Sequence, residues 1–357
     1  MTILLFVIAL SLLVLVHEWG HFYAARKFGV RVEEFGFGFP PKIISTVKNG
    51  TKFVFNLFPI GGYVKIYGEG GEGTNEKESF ASRPIWQRAV IVSAGVIMNF
   101  VLAWIFFSGA HVMGITSAVD SADIEGASIT VIEVEKGSPA ESAGIKFGDI
   151  VQESRIKNQE SGIKIQTIQN LQELAKKNAG EEVMITLIRN GTARTLTLIP
   201  RKNPPNGSGP LGIALEYIAL KQAPIYLAPW EGLKSTYYAT RGTIEGLAFT
   251  IKNLVFERRM PKEVSGPVGI FVLARDITEL GKSYIFQFIA ILSVNLAVLN
   301  FLPIPALDGG RVLFMIIEKI RRRAISPTRE GIIHAVGFAV LILLMILVTV
   351  RDVRNLF

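Results

Sequence analysis

The chain has 357 residues, of which 49% are hydrophobic and 19% charged, with a formal charge of +8 and no cysteine. Soluble domains carry roughly a quarter charged residues, so this composition, with a mean hydropathy of +0.38, excludes a wholly soluble enzyme and predicts membrane segments. The missing cysteine excludes disulfide frameworks, thiol nucleophiles and thiolate metal sites, and leaves any metal to His, Asp and Glu.

Apolar runs cover 2–25, 89–112, 285–302 and 332–350. At 1.5 Å per helical residue each reaches about 27 to 36 Å, against a hydrocarbon core of about 30 Å. Four spanning helices are expected. The first run lacks the positive leader of a signal peptide, and its charges, Arg26, Lys27 and Arg31, follow it. That order puts the N-terminus outside. Ten of the 38 basic residues lie between Phe22 and Arg88 and six between Gly309 and Ile332, where Lys319, Arg321, Arg322 and Arg323 cluster. The positive-inside rule makes both connections cytoplasmic, and it exempts the long basic segment between the second and third spans. The net charge therefore reflects topology and a contact with anionic lipid. A nucleic-acid partner is not expected, because no binding motif accompanies the charge.

Near the end of the first span, His17-Glu18-Trp19-Gly20-His21 carries the pattern H-E-x-x-H. Residues four apart share a helix face, so His17 and His21 can ligate one metal ion with Glu18 beside the attacking water. Zinc suits this ligand set. Ionisable groups inside a spanning helix are costly and mark function. Segment 30–66 follows as strands, with Ile43 to Val47, an Asn49-Gly50 turn and Lys52 to Phe58 forming an apolar hairpin. It serves either as a structural ribbon or as an edge for strand addition. Asn99 in the second span and Asn295 in the third are read as helix-packing residues. His111 and His334 lie near the ends of the second and fourth spans, and a metal role is not expected of either.

Between 121 and 202 the pattern changes to soluble strands and a short helix, one α+β domain of about 80 residues. Its string Gly137-Ser138-Pro139-Ala140, Ala143-Gly144-Ile145 and Gly148-Asp149-Ile150-Val151 resembles a PDZ domain in the circularly permuted order of bacterial proteases. The pattern departs after Asp149, where a longer turn over 155–162 replaces the usual short one, so peptide-binding residues are not assigned. Such a domain either binds substrate tails or excludes bulky ectodomains. Segment 203–284 reads as a Pro/Gly-rich linker over 203–212, an amphipathic helix over 230–256, and basic residues Arg258, Arg259 and Lys262. The helix lies on the outer membrane face or packs against the PDZ-like domain.

Catalytic zinc usually takes three protein ligands, and two histidines leave one to find. The most eligible acid is Asp308, one of six aspartates, at the end of the third span in Asn300-Phe-Leu-Pro303-Ile-Pro305-Ala-Leu307-Asp308-Gly309. The first and third spans run in the same direction, and His17, His21 and Asp308 lie at matching depths along them.

These residues closely resemble the site-2 protease family of intramembrane zinc metalloproteases, in particular the bacterial regulator-of-sigma-E type. The resemblance rests on His17 to His21 and on the N-x-x-P-x-P-x-L-D-G string from Asn300 to Gly309. Gly36-Phe-Gly-Phe39, Pro59 to Lys65, Gly95 to Asn99 and Gly266-Pro-Val-Gly269 agree in order along nearly the whole chain. The resemblance implies Zn2+ held by His17, His21 and Asp308, Glu18 as catalytic base, Asn300 in substrate binding, and a membrane-associated β-loop over 30–66. It further implies single-span membrane protein substrates, such as anti-sigma factors or remnant signal peptides, cut in regulated intramembrane proteolysis. The fold expected is a polytopic α-helical membrane protein with four transmembrane helices, the β-hairpin, and one extracytoplasmic PDZ-like α+β domain. In that layout 1–112 and 285–357 hold the spans and the zinc residues. The location implied is the inner membrane, with both termini and the PDZ-like domain outside the cytoplasm. A scaffold that had lost activity would show damage among the zinc residues, and all four are intact.

Overall fold

The computed structural model describes residues 2–119, 126–156, 163–189, 191–205, 207–257, 266–323 and 325–356. Most of the turn read over 155–162, and Arg258, Arg259 and Lys262, lie outside the described residues. The chain forms two compact units, Met1–His111 with Pro224–Phe357, and Val112–Ala223.

Leu, Ile, Val and Ala fill helix α1 (Thr2–Lys27). It stops at Gly29, whose φ of +69° only glycine adopts freely, with Arg26 and Lys27 placed favourably in the last turn. Strands β1 (Val32–Lys48) and β2 (Thr51–Ile66) meet at Asn49-Gly50, both at positive φ as a type I′ turn requires. They form more than a hairpin. Residues 34–37 of β1 pair with 62–65 of β2 on one side and with 52–55 on the other, while 42–48 pair with 51–56. Two bent strands thus make four runs, antiparallel in the two outer pairings and in parallel register between 34–37 and 52–55, with 62–66 at one edge. Glu34 ties its run to both neighbours, accepting from Lys52 Nζ at 2.8 Å on one side and from the Tyr63 hydroxyl of the edge run on the other. These two hydrogen bonds hold its carboxyl below the ordinary range. The tip over 39–48 is exposed, including Ile43, Ile44 and Val47.

Helix α2 (Ile85–Met113) packs closely on α1. A Cβ on Gly20 would sit 2.4 Å from the Ala94 carbonyl oxygen, so this glycine permits backbone-to-backbone contact.

The second unit holds β3 (Ile115–Val119), β4 (Ala127–Val134), α3 (Pro139–Ser142), β5 (Ile150–Ile156), β6 (Ile163–Lys164), α4 (Ile168–Lys177), β7 (Val183–Arg189), β8 (Thr192–Leu198) and β9 (Ile213–Lys221). The antiparallel sheet runs β3-β9-β4-β5-β7-β8, with β6 beside β5. Val131, Leu171, Val183, Ile185 and Leu187 form its core. Asp149 is fully buried, yet paired with Arg189 at 2.6 Å and with the Lys146 N–H at 2.9 Å. The unit is wider than the 121–202 read from sequence. Strand β9 falls in the segment 203–284 read as linker and helix, but its pairing with β3 and β4 places it inside the sheet.

Helix α5 (Ala228–Lys252) continues as a π-turn, Asn253–Glu257, and is followed by α6 (Pro267–Leu280), α7 (Lys282–Phe301), α8 (Asp308–Arg321) and α9 (Pro327–Leu356). The partners of α5 in its unit are α2 and α7. A Cβ on Gly232 would meet the Ser108 backbone at 2.7 Å, and Thr243 donates to Asn295 Oδ1 at 2.7 Å. His111 pairs with Ser235 at 2.9 Å. Cores of Ala9, Leu13, Leu102 and Ile289, and of Ala103, Phe107, Ala290 and Val294, join α1, α2 and α7. Among the described residues four helices are long and apolar enough to cross a membrane, Ile3–Lys27, Ile85–Met113, Lys282–Phe301 and Pro327–Arg354, and they fit a multi-pass membrane protein.

Candidate metal centre

The helical repeat brings His17 and His21 to one face of α1, and α7 delivers Asp308 to the same place through a tight turn. Nε2 of His17 and of His21 lie 3.2 Å apart, and they lie 3.0 and 3.3 Å from Asp308 Oδ2. Among the described residues this is the one cluster of three His, Asp or Glu side chains whose ligand atoms converge. Bonds of about 2.0 to 2.1 Å in a tetrahedral zinc site put neighbouring ligand atoms about 3.3 Å apart. The observed triangle has that size. Asp308 Oδ2 is buried and makes no hydrogen bond among the described residues, despite its nearness to both rings. A buried carboxylate oxygen in that state is costly unless a cation faces it.

Both rings are oriented from behind. His21 Nδ1 lies 2.9 Å from the Ile91 carbonyl oxygen, which only accepts, so the ring proton sits on Nδ1 and Nε2 keeps its lone pair. His17 Nδ1 lies 3.2 Å from the side-chain amide of Asn99, a fully buried residue. Asn99 Oδ1 has no partner among the described residues when Nδ2 faces the ring. Turning the amide over lets Oδ1 accept the His17 Nδ1–H and frees that Nε2 as well. The sequence reading assigns Asn99 to helix packing; the structure puts it against a candidate ligand. Its signal was the small residue four positions earlier. A Cβ on Gly95 would lie 2.4 Å from His21 Nε2 and 2.8 Å from His17 Cε1.

Glu18 lines the same cleft, about 460 Å³ in volume, together with Tyr63, Val64, Glu69, Asp308, Arg311 and His334. Its Cγ faces Gly62, where an added Cβ would stand 3.6 Å away. Asn300 Nδ2 lies 3.5 Å from His17 Nε2, so all five residues singled out in the sequence converge here. The edge run 62–66 of the β-sheet forms one wall. His334, whose sequence position suggests no metal role, also lines the cleft; α9 turns it inward onto the turn before Asp308, and its Nδ1 accepts from the Ala306 N–H at 2.8 Å. Asn295 bonds to α5, and His111 to Ser235, as residues of helix contacts.

Residues 5–344 match the model of peptidase family M50. The chain is 32% identical over 351 residues to a protein of Clostridium acetobutylicum that carries a zinc metalloprotease name, covering 98% of this chain and 97% of that one. A similarly named protein of Fusobacterium nucleatum is 34% identical over 363 residues, with 100% of both chains covered. The zinc metalloprotease RasP of Oceanobacillus iheyensis is 29% identical over 440 residues, covering 100% of this chain and 99% of its own.

Proposed function

The chain belongs to peptidase family M50, the site-2 protease family, and is a zinc metalloprotease, and from that premise we propose that it cleaves peptide bonds within the membrane segments of single-span membrane proteins. One observation carries the reading. Two of the three converging metal-binding side chains project from α1, a helix long and apolar enough to cross a membrane, and the third follows directly on α7, another. A soluble protease would have no reason to build its centre on such helices.

In this proposal His17, His21 and Asp308 hold the zinc. When bound there, zinc supplies Lewis acidity, polarising a carbonyl and bringing the pKa of water to roughly 7. Glu18 takes the proton of the attacking water on a carboxylate oxygen and delivers it to the nitrogen of the departing amine. Asn300 Nδ2 donates a hydrogen bond to the substrate backbone or to the oxyanion that develops there. Asn99 and the Ile91 carbonyl keep both imidazoles in the tautomer that presents Nε2 to the metal.

A helical substrate must first be unwound, and in lipid each freed backbone group needs a partner. Run 62–66 is bonded on one side only among the described residues and faces the cleft, so it can pair with an extended substrate by strand addition. The unit Val112–Ala223 is read as a PDZ-like domain that controls access, by holding substrate tails or by excluding large ectodomains. The distribution of basic residues supports both termini and this unit lying outside the cytoplasm; the inner-membrane location, and substrates of the anti-sigma factor or remnant signal peptide type cut in regulated intramembrane proteolysis, rest on the family resemblance alone.

Cleavage of a model single-span protein in detergent tests the reading. The native chain is expected to cut within the apolar segment, a chelator to abolish cutting, and Glu18→Gln to retain zinc while cutting falls to background. Equal product in all three samples, or cleavage confined to sites outside the apolar segment, overturns it.

A further inference from the structure

The turn between α7 and α8 holds an unusual backbone. Ala306 has φ of +82°, a region that L-residues with a Cβ rarely adopt and that persists only where surroundings over-determine it. Several contacts do so. Added Cβ atoms on Gly309 and Gly310 would lie 2.2 and 2.3 Å from the carbonyl oxygens of Leu302 and Ile304, so the turn sits flush on the start of α8. From outside the turn, α9 closes over it: a Cβ on Gly337 would lie 2.6 Å from the Pro305 carbonyl oxygen. Three residues earlier on α9, His334 Nδ1 accepts the Ala306 N–H at 2.8 Å, while its ring lies against Phe314 with centroids 5.4 Å apart. Ala306 is two residues from Asp308, so a change in this peptide re-aims the carboxylate.

We infer that His334 is a positioning residue for the third metal ligand: by accepting the Ala306 N–H it holds the turn that aims Asp308 at His17 and His21. The inference rests on the proposed reading of Asp308 as a ligand. It requires an acceptor at the δ position of the side chain, and this sets it apart from a packing role for the ring. Asn places Oδ1 where Nδ1 stands; Gln reaches further and places its oxygen near Nε2.

Zinc affinity of the purified full-length chain in detergent, measured by competition with a chelator, tests this independently of turnover. His334→Leu is expected to bind zinc about tenfold more weakly, the lower end of the effect of residues that orient ligands. His334→Asn is expected to keep native affinity, and His334→Gln to resemble His334→Leu. Native affinity in His334→Leu overturns the inference, and so does an equal loss in the Asn and Gln variants. If His334→Leu does not fold, the Asn and Gln pair decides alone. Asp308→Asn serves as the comparator: native zinc affinity there overturns the ligand reading itself, whereas loss there with native affinity in His334→Leu overturns only the role of His334.

Discussion

Gly95 of α2 faces His21 of α1 so closely that a Cβ would fall 2.4 Å from Nε2, the atom that points at Asp308. Its neighbour across the helix pair is Gly20, which itself lies against Ala94 and Gly95. The tight crossing of α1 and α2 therefore does two things. It binds the helices through backbone contact, and it brings Ile91 and Asn99 within hydrogen-bonding reach of the two imidazoles.

Gly95→Ala should therefore displace both rings while leaving each ligand chemically intact. A ligand misplaced by about 1 Å costs on the order of 10²-fold in rate, so cleavage should fall at least that far. The zinc content of the purified variant is the direct measurement. A full equivalent of zinc and native activity would mean that the rings do not occupy the positions described.

Asn99 and His334 explain why part of the centre was hidden in the sequence. His17, Glu18 and His21 form a local pattern on one helix turn, and Asp308 stands out as one of six aspartates, at the end of the third span, with matching depth along two parallel spans as a check. Asn99 and His334 act through the approach of α2 and α9, and no spacing along the chain announces a contact across 82 residues. Strand β9 was missed for a related reason. Ile213 to Lys221 follows a Pro/Gly-rich stretch and gains strand character from partners on both sides, β3 and β4, that precede it by some 80 to 100 residues. The four-run sheet exceeded the hairpin read in 43–58 because each of residues 34–37 has two partners.

Asn99→Leu removes the acceptor behind His17 with little change in volume. Loss of such a partner typically costs 10 to 100-fold in metal affinity, and about that weakening is expected in chelator competition. Asn99→Asp retains an oxygen acceptor and should bind zinc more tightly than the Leu variant. Equal affinity in Asn99→Leu and the native chain would return Asn99 to a packing role.

Glu34 gives the β-sheet a pH dependence of defined sign. Its folded pKa is lowered by Lys52 and Tyr63, so its contribution is present above the ordinary value of 4.5 and is lost as pH falls through the folded value. The pair is largely solvated, so the effect is that of a surface ion pair, under about 1 kcal/mol. Hydrogen exchange in run 62–66 should be slower in the native chain than in Glu34→Gln at pH 7, and the difference should vanish in acid. A difference that grows on acidification would contradict the sign.

The apolar stretch of α9 is scarcely buried, so its attachment depends on a few contacts near its ends. Near the C-terminal end, buried Asp352 accepts the Gly269 N–H at 2.8 Å. Gly266, Pro267, Val268 and Gly269 open α6, and Gly266 has no side chain to cap that helix. Asp352 does so from another helix, placing a carboxylate where unsatisfied N–H groups and the helix dipole favour negative charge. Gly266 is needed as well, since a Cβ there would come within 2.9 Å of Asp352 Oδ2. Asp352→Ala should destabilise this contact by about 1 to 2 kcal/mol, the range for a lost cap with a partly buried charge. Amide exchange over 268–270 should rise accordingly, and Asp352→Asn, which keeps an acceptor oxygen, should lose less. Unchanged exchange in Asp352→Ala would show that α6 and α9 are joined by their apolar contacts alone.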